Sequence, residues 1–399
     1  MYFPFLELNG SKDSPISRRR FIQSFPWFSC EVVFLTNVLD YLKWRGDLSF
    51  SQDPPNQVDA LIFSGLIYLR FGPNATAASD GVVLREAAEE FFALPDHENR
   101  TRAKNDLLLL RAAADSHRFG ECKLFMYREQ FIPEEDTQFA AITFLLSDGS
   151  MMLSFRGTDN TLVGWKEDFN MSFRQIIPAQ LLALNYTHDV WEAHTAPMRL
   201  CGHSKGGNLA VFAAARSSPM IQQWIRGVYN NDGPGFSEYM IGDPGYNAMV
   251  PRIRTFVPQS SIIGMIMEHE EPYTIIRSSQ VGILQHDFFS WEVVGRDFLP
   301  MEEITADSRF LNRTIRNWLD SMDRDQRSQM VDVIFGLLAN GDVTEASEII
   351  QPKNILNYLK ALEADEETRR KLSGILQSLL EAAKKARQEM TRKALKSGE

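Results

Sequence analysis

Cysteine is scarce in this chain: there are three in 399 residues, Cys30, Cys122 and Cys201, and no two stand in a CxxC pair. An odd number at such spacing excludes a disulfide framework and a thiolate metal site, and a reducing, cytoplasmic setting is the simplest expectation. Positive charge is in the minority, with 42 Lys and Arg against 52 Asp and Glu and a formal charge of −10. Nucleic acid is therefore not an expected partner, because phosphate binding needs clustered cations. No apolar run reaches the 18 or so residues that cross a bilayer. Arg18-Arg19-Arg20 ahead of Phe21 to Leu35 imitates a signal peptide, but Pro26, Glu31 and the lack of a small-residue cleavage site argue against one. A glycine-rich phosphate loop, an HExxH helix and a paired Cys/His ligand set are all missing, so neither a metal nor an organic cofactor is expected.

What the chain does have is material for a core. Hydrophobic residues make up 44% and charged residues 24%, and the length fits two domains or one large core with additions. From Thr36 to about His117, segments such as "VDALIFSGLIYLRF", "LREAAEEFFAL" and "NDLLLLRAAADSHR" place apolar residues at helical spacing. After Gly120 the pattern changes: "KLFMYREQF", "QFAAITFLLSDGSMMLSFRG", "MRLCG", "GVYNN", "IRTFVP" and "YTIIRSS" read as short strands, with a hairpin at Asp148-Gly149. Helical segments separate the later strands, which predicts an α/β fold with a mostly parallel central sheet. From about Met301 the chain is helical again and more charged. The expected division is an N-terminal extension and helical lead-in over 1–118, an α/β core over 119–295 and a C-terminal helical region over 296–399. The last stretch, Asp365 to Ser397, carries Leu376, Leu379 and Leu380 and many cations. It reads as an amphipathic helix packed on the core, with peripheral contact to an acidic membrane as the alternative.

One segment carries chemistry. Met198 to Gly202 reads as a strand, runs into Gly202-His203-Ser204-Lys205-Gly206-Gly207 and continues as the helix former "NLAVFAAAR". Strand, G-x-S-x-G and helix in that order predict a nucleophile elbow at Ser204, with glycines where side chains would collide and helix N–H groups aimed at the hydroxyl. Cys201 beside it reads as a buried apolar residue. Upstream, Ser154-Phe155-Arg156-Gly157-Thr158-Asp159 ends a strand and is followed by Trp165 and Asp168.

"FRGT…W…D…F" followed by "GHSKGG" resembles the class 3 lipases, a branch of the α/β-hydrolases, and "GHSKGGNLA" with a late "QHDFFSW" is similar to a bacterial family of uncharacterised lipase-like proteins in that branch. The resemblance covers about Tyr41 to Trp291. It implies an α/β-hydrolase fold with helical N-terminal and C-terminal additions, and an oxyanion hole made by Thr158, through its N–H and often its hydroxyl, and by the N–H of Lys205. Where those lipases commonly have leucine, this chain has Lys205; its side chain forms a salt bridge, points to solvent or sets a cation at the mouth of the site. Arg156 and Asp168 are expected as a buried pair holding the oxyanion loop, with catalytic roles as the alternative.

The base should follow the last core strand, in the order Ser, acid, His. His286 in "QHDFFSW" fits; His269 in "MEHEEPY" competes but reads as a solvated residue at a helix end, and His203 is expected to point away from the nucleophile. The acid is harder. The resemblance places an aspartate after "RIRTFVP", where this chain has Pro258-Gln259-Ser260-Ser261, and serine brings no charge to stabilise an imidazolium. Asp232, ending "GVYNND", is the favoured replacement; Glu268 and Asp287 are alternatives, and "NDGPG" is also an ordinary turn. Ile262, Ile263, Met265, Ile266 and Met267 read as a buried helix, or as an acyl pocket or lid.

These readings combine into a serine ester hydrolase acting on an acyl ester or lipid-like substrate through Ser204, His286 and Asp232. A thioesterase or peptidase on the same fold is one rival. A catalytically impaired relative that binds a lipid or a protein is the other, and the missing late aspartate is its ground.

Overall fold

The computed structural model describes residues 36–71, 81–159, 162–171, 174–339, 357 and 365–397. Arg18 to Leu35, Cys30 and the side chain of Trp165 lie outside the described residues. The centre is an eight-stranded sheet in simple sequential order, β1 (Val82–Val83), β2 (Lys123–Ile132), β3 (Thr137–Leu145), β4 (Met151–Phe155), β5 (Met198–His203), β6 (Ile225–Asn231), β7 (Ile253–Pro258) and β8 (Tyr273–Ile276). β1 to β4 pair antiparallel; β4 to β8 pair parallel. The β3–β4 turn is the hairpin expected at Asp148-Gly149, with Gly149 at φ 78° and Asp148 Oδ1 accepting from the Ser150 N–H at 2.9 Å.

Alternation along the strands divides the core in two. On one face Ala140, Ile142, Phe144, Met152, Cys201, Tyr229 and Phe256 pack under the N-terminal helices; on the other Phe139, Ala141, Met151, Leu153, Phe155, Leu200 and Val228 pack under the later ones. With both faces covered, nearly every residue of β3 to β7 is out of solvent, which is why these strands read as continuous apolar runs. The N-terminal helices obey their periodicity. Leu84–Ala93 buries Leu84, Ala87, Ala88 and Phe91, while the more apolar Gln57–Leu66 is buried all round. Asn37 and Asn56 cap their helices in capping boxes with Asp40 and Asp59.

On the opposite face lie the crossover helices Pro178–Ala193 and Lys205–Arg216. The second is rich in Ala and Gly, which lets it sit against the sheet with Lys205 to Ala215 buried. A small hairpin, Val293–Val294 with Asp297–Phe298, lies outside the sheet. "VGILQ" is a single-turn helical piece, Gly282–His286, that carries the candidate base.

The helices Ala306–Asp320 and Glu366–Ser397 run antiparallel, joined by Arg313–Glu389 at 3.0 Å and by Trp318 Nε1 donating to Ser378 Oγ at 2.9 Å. The long helix turns Ile375, Ala382 and Ala386 inward, and leaves Leu376 and Leu380 exposed. Among the described residues no helix is long and apolar enough to cross a membrane.

Candidate active site

Ser204 sits between β5 and its helix at φ 58°, ψ −135°, a backbone region that side-chain-bearing residues adopt only where the surroundings impose it. The surroundings here are glycine contacts. A Cβ on Gly202 would lie 2.1 Å from the Gly206 carbonyl, and one on Gly206 would lie 2.1 Å from the Phe155 carbonyl oxygen, so any side chain would force the elbow apart. The Ser204 N–H donates to the Asn231 carbonyl at 2.9 Å, fixing the turn to the end of β6. The strand–elbow–helix geometry expected of the motif is present.

The loop after β4 comes up against this turn: a Cβ on Gly157 would be 3.1 Å from the Ser204 Cβ and 2.4 Å from the His203 carbonyl oxygen. Thr158, the next residue, donates its hydroxyl to Asp168 Oδ2 at 2.5 Å. Loss of hydration pushes the Asp168 carboxyl up to about 6, against the pull of the nearby Lys205 cation and the Thr158 hydroxyl. The expected Arg156–Asp168 pair does not form. Arg156 instead donates at 2.7 Å to Glu129 Oε1 of β2, which lies on the far side of β3, and Asp168 accepts the Thr158 hydroxyl without it.

Lys205 also departs from the expectation of a solvent-facing or mouth-lining cation. Its Nζ donates to Glu167 Oε2 at 2.6 Å and to the Gln138 carbonyl at 3.0 Å, and its side chain is wholly buried. It forms a salt bridge, as one expected reading had it, but an internal one. Cys201 is fully buried and its thiol is pushed up to about 12 by burial, which leaves it an apolar packing residue.

His286 Nδ1 lies 2.6 Å from Asp232 Oδ2. Asp232 is buried, adopts φ 54° just past β6 and is anchored by its N–H donating to the Phe256 carbonyl at 2.8 Å. The competitors are engaged elsewhere: exposed Glu268 pairs with Arg316 at 3.0 Å, and Asp287 accepts from the Phe289 N–H at 3.3 Å. His269 is neither on a helix nor solvated. Its imidazole is 4% exposed, donates from Nε2 to the Gly264 carbonyl at 2.8 Å and meets Glu271 at 3.1 Å. Glu271 in turn takes a hydrogen bond from Thr255 of β7, a partner sixteen residues away in the chain.

The His203 ring is held between Tyr68 and the backbone of His286. Its Nε2 is 2.8 Å from the His286 carbonyl oxygen, so Nε2 must carry the proton, and Nδ1 accepts from the Tyr68 hydroxyl at 3.2 Å. Burial, with the neighbouring His286 and Arg102, holds the imidazole well below its ordinary value of 6.5, so the ring is neutral. The rings of His203 and His286 stand 4.5 Å apart. Arg102 covers the Tyr68 ring at 4.3 Å.

Sequence reasoning passed over Tyr68, Glu167 and Asn208. Asn208 is fully buried on the helix Lys205–Arg216, donates to the Pro234 and Gly235 carbonyls at 3.1 and 2.9 Å and so ties the turn after Asp232 to the helix that Ser204 precedes. A polar residue in the run "NLAVFAAA" was the available signal. The run Ile262 to Met267 is half-buried, not a buried helix, apart from Gly264. Met265, Ile266 and Met267 line a cleft of about 390 Å³ together with Phe236 and Ile315.

The family model described as Mbeg1-like matches residues 113–336. Among solved structures, the Rhizomucor miehei lipase propeptide complex is 14% identical, the match covering 42% of this chain and 58% of that one at a TM-score of 0.32. A crystal structure of M37 lipase is 13% identical, with 52% and 68% covered and a TM-score of 0.33. The chain thus spans under two thirds of the length of the first of these. No curated protein matches it.

Proposed function

We propose, from the premise that the chain belongs to the Mbeg1-like family, that it is a lipase-like serine hydrolase of the α/β-hydrolase fold that cleaves acyl esters. The observation that carries the reading is the 2.6 Å contact of His286 Nδ1 with the buried Asp232, beside an elbow that holds Ser204 at φ 58°.

In the mechanism His286 takes the Ser204 proton at Nε2 as Oγ attacks the carbonyl carbon, and Asp232 stabilises the imidazolium that results. The oxyanion rests on the N–H groups of Thr158 and Lys205; the Thr158 hydroxyl is already directed to Asp168, which holds that loop in place. Collapse of the tetrahedral intermediate returns the proton from His286 to the leaving alcohol. Water, deprotonated by the same imidazole, then releases the acid from the acyl-enzyme and restores the Ser204 hydroxyl. The ground for the impaired-relative reading was the serine at the late-strand position, and that ground weakens because Ser261 donates to Asp232 at 2.5 Å.

The test is labelling with a fluorophosphonate probe, wild type beside Ser204→Ala and His286→Ala. The expected result is labelling of the wild type alone. Wild-type protein that resists the probe, or label that survives Ser204→Ala, overturns the proposal.

A further inference from the structure

The loop after β7 joins three parts of the molecule. Its Ser261 is 2% exposed, donates its hydroxyl to Asp232 Oδ1 at 2.5 Å and accepts the Gly264 N–H at 3.1 Å, so the hydroxyl proton has one direction available. Asp232 thereby has both oxygens engaged, Oδ2 with His286 and Oδ1 with Ser261. The neighbouring Ser260 N–H donates to the side chain of Gln285, the residue before His286, at 2.7 Å.

The third connection comes from the C-terminal helical region. Ser308 Oγ donates to the Ser261 carbonyl at 2.7 Å, Asn312 Nδ2 reaches the same oxygen at 3.4 Å, and the Thr305 N–H donates to the Gln259 carbonyl at 2.7 Å. Thr305 caps the helix Ala306–Asp320. The first two turns of that helix therefore grip the segment that presents Ser261 to the acid.

We propose that Ser261 is a positioning residue for Asp232, and that Ser308 and Asn312 hold Ser261 in place from the C-terminal helical region. The inference rests on the reading of Ser204, His286 and Asp232 as the reacting set. A carboxylate bound at one oxygen only can rotate about its Cβ–Cγ bond; the second hydrogen bond fixes the plane in which Oδ2 meets the imidazole. The late-strand position keeps a part in the relay while the charge itself comes from the strand before. The C-terminal region, on this account, bears on turnover without touching substrate.

The experiment is a double-mutant cycle in the full-length chain, Ser261→Ala and Ser308→Ala singly and together, with Ser204→Ala as reference and p-nitrophenyl butyrate as substrate. Loss of a hydrogen bond to a charged group predicts a fall in kcat of about tenfold for Ser261→Ala and about threefold for Ser308→Ala, with KM unchanged. Because Ser308 acts through Ser261, the double variant should be no slower than Ser261→Ala alone. Equal kcat in Ser261→Ala and wild type, or losses that multiply in the double variant, would overturn the inference. Should Ser261→Ala not fold, Ser308→Ala decides alone: a lower kcat at constant KM supports the inference and an unchanged kcat overturns it. Activity that persists in Ser204→Ala would instead overturn the underlying reading.

Discussion

Lys205 and Glu167 form an ion pair of 2.6 Å in which neither side chain is more than 1% exposed. Glu167 also accepts the N–H groups of Gln138 and Ala179, so the carboxylate joins β3, its own helix Leu162–Asn170 and the crossover helix Pro178–Ala193 to the first residue of the helix after Ser204. Removing one partner strands the other's charge out of water. Lys205→Met should destabilise the fold by about 3–5 kcal/mol, and the double variant Lys205→Met with Glu167→Gln should recover much of that loss. Urea unfolding of the three proteins measures both; a single variant as stable as wild type would contradict the pairing.

The elbow glycines make a steric prediction. With the Phe155 carbonyl oxygen 2.1 Å from where a methyl group would sit, Gly206→Ala cannot be accommodated by a rotamer change, since the obstacle is backbone. A loss of about 3 kcal/mol in stability, together with loss of probe labelling, is expected from such overpacking. Thermal melts and the labelling assay report the two separately.

How much of this site could be read from the residues depended on how far away each partner lies in the chain. The elbow was legible because its requirements are local: Gly202, Ser204 and Gly206 span five positions, and the helix begins at Lys205, within that span. The strands were legible because β3 to β7 are buried on both faces and carry little polar interruption. Arg156 found Glu129 in place of Asp168 because β2 and β4 flank β3, a relation that no spacing along the chain reveals. His269 looked solvated between two glutamates, and is buried because Glu271 and the Gly264 carbonyl fold back over it. The role of Ser261 was hidden for a related reason. Its hydroxyl answers a carboxylate twenty-nine residues earlier, and a lone serine in a loop carries no pattern of its own.

Two groups shielded from water to different degrees give opposite dependences on pH. His203 is held neutral in the fold, with its pKa depressed below the 6.5 of the unfolded chain. The unfolded state therefore binds the extra proton first, and the stability this group contributes is complete above pH 6.5 and is lost as the pH falls below it. His203→Gln should flatten the decline in melting temperature between pH 7 and pH 5. The same variant should slow turnover by loosening the His286 backbone. A slope identical to wild type would refute this account of the imidazole.

Asp168 behaves in the reverse sense, because its folded pKa of about 6 stands above the ordinary 3.8. Between those values the folded state holds the proton more tightly, so raising the pH through that window costs stability. Asp168→Asn, which keeps an acceptor for the Thr158 hydroxyl, should melt at a higher temperature than wild type at pH 8. The two should converge toward pH 4. Melting curves across that range test the sign, and a variant advantage greatest at low pH would exclude it.

The sequential order of the sheet sets a timetable. Ser204 follows β5, Asp232 follows β6, Ser261 follows β7, and His286 arrives only after β8. A chain emerging from the ribosome can shape its elbow long before it owns an imidazole to deprotonate the serine. On the proposed mechanism the half-made protein is chemically mute toward esters, and reactivity switches on only when the last contributor has been synthesised and docked.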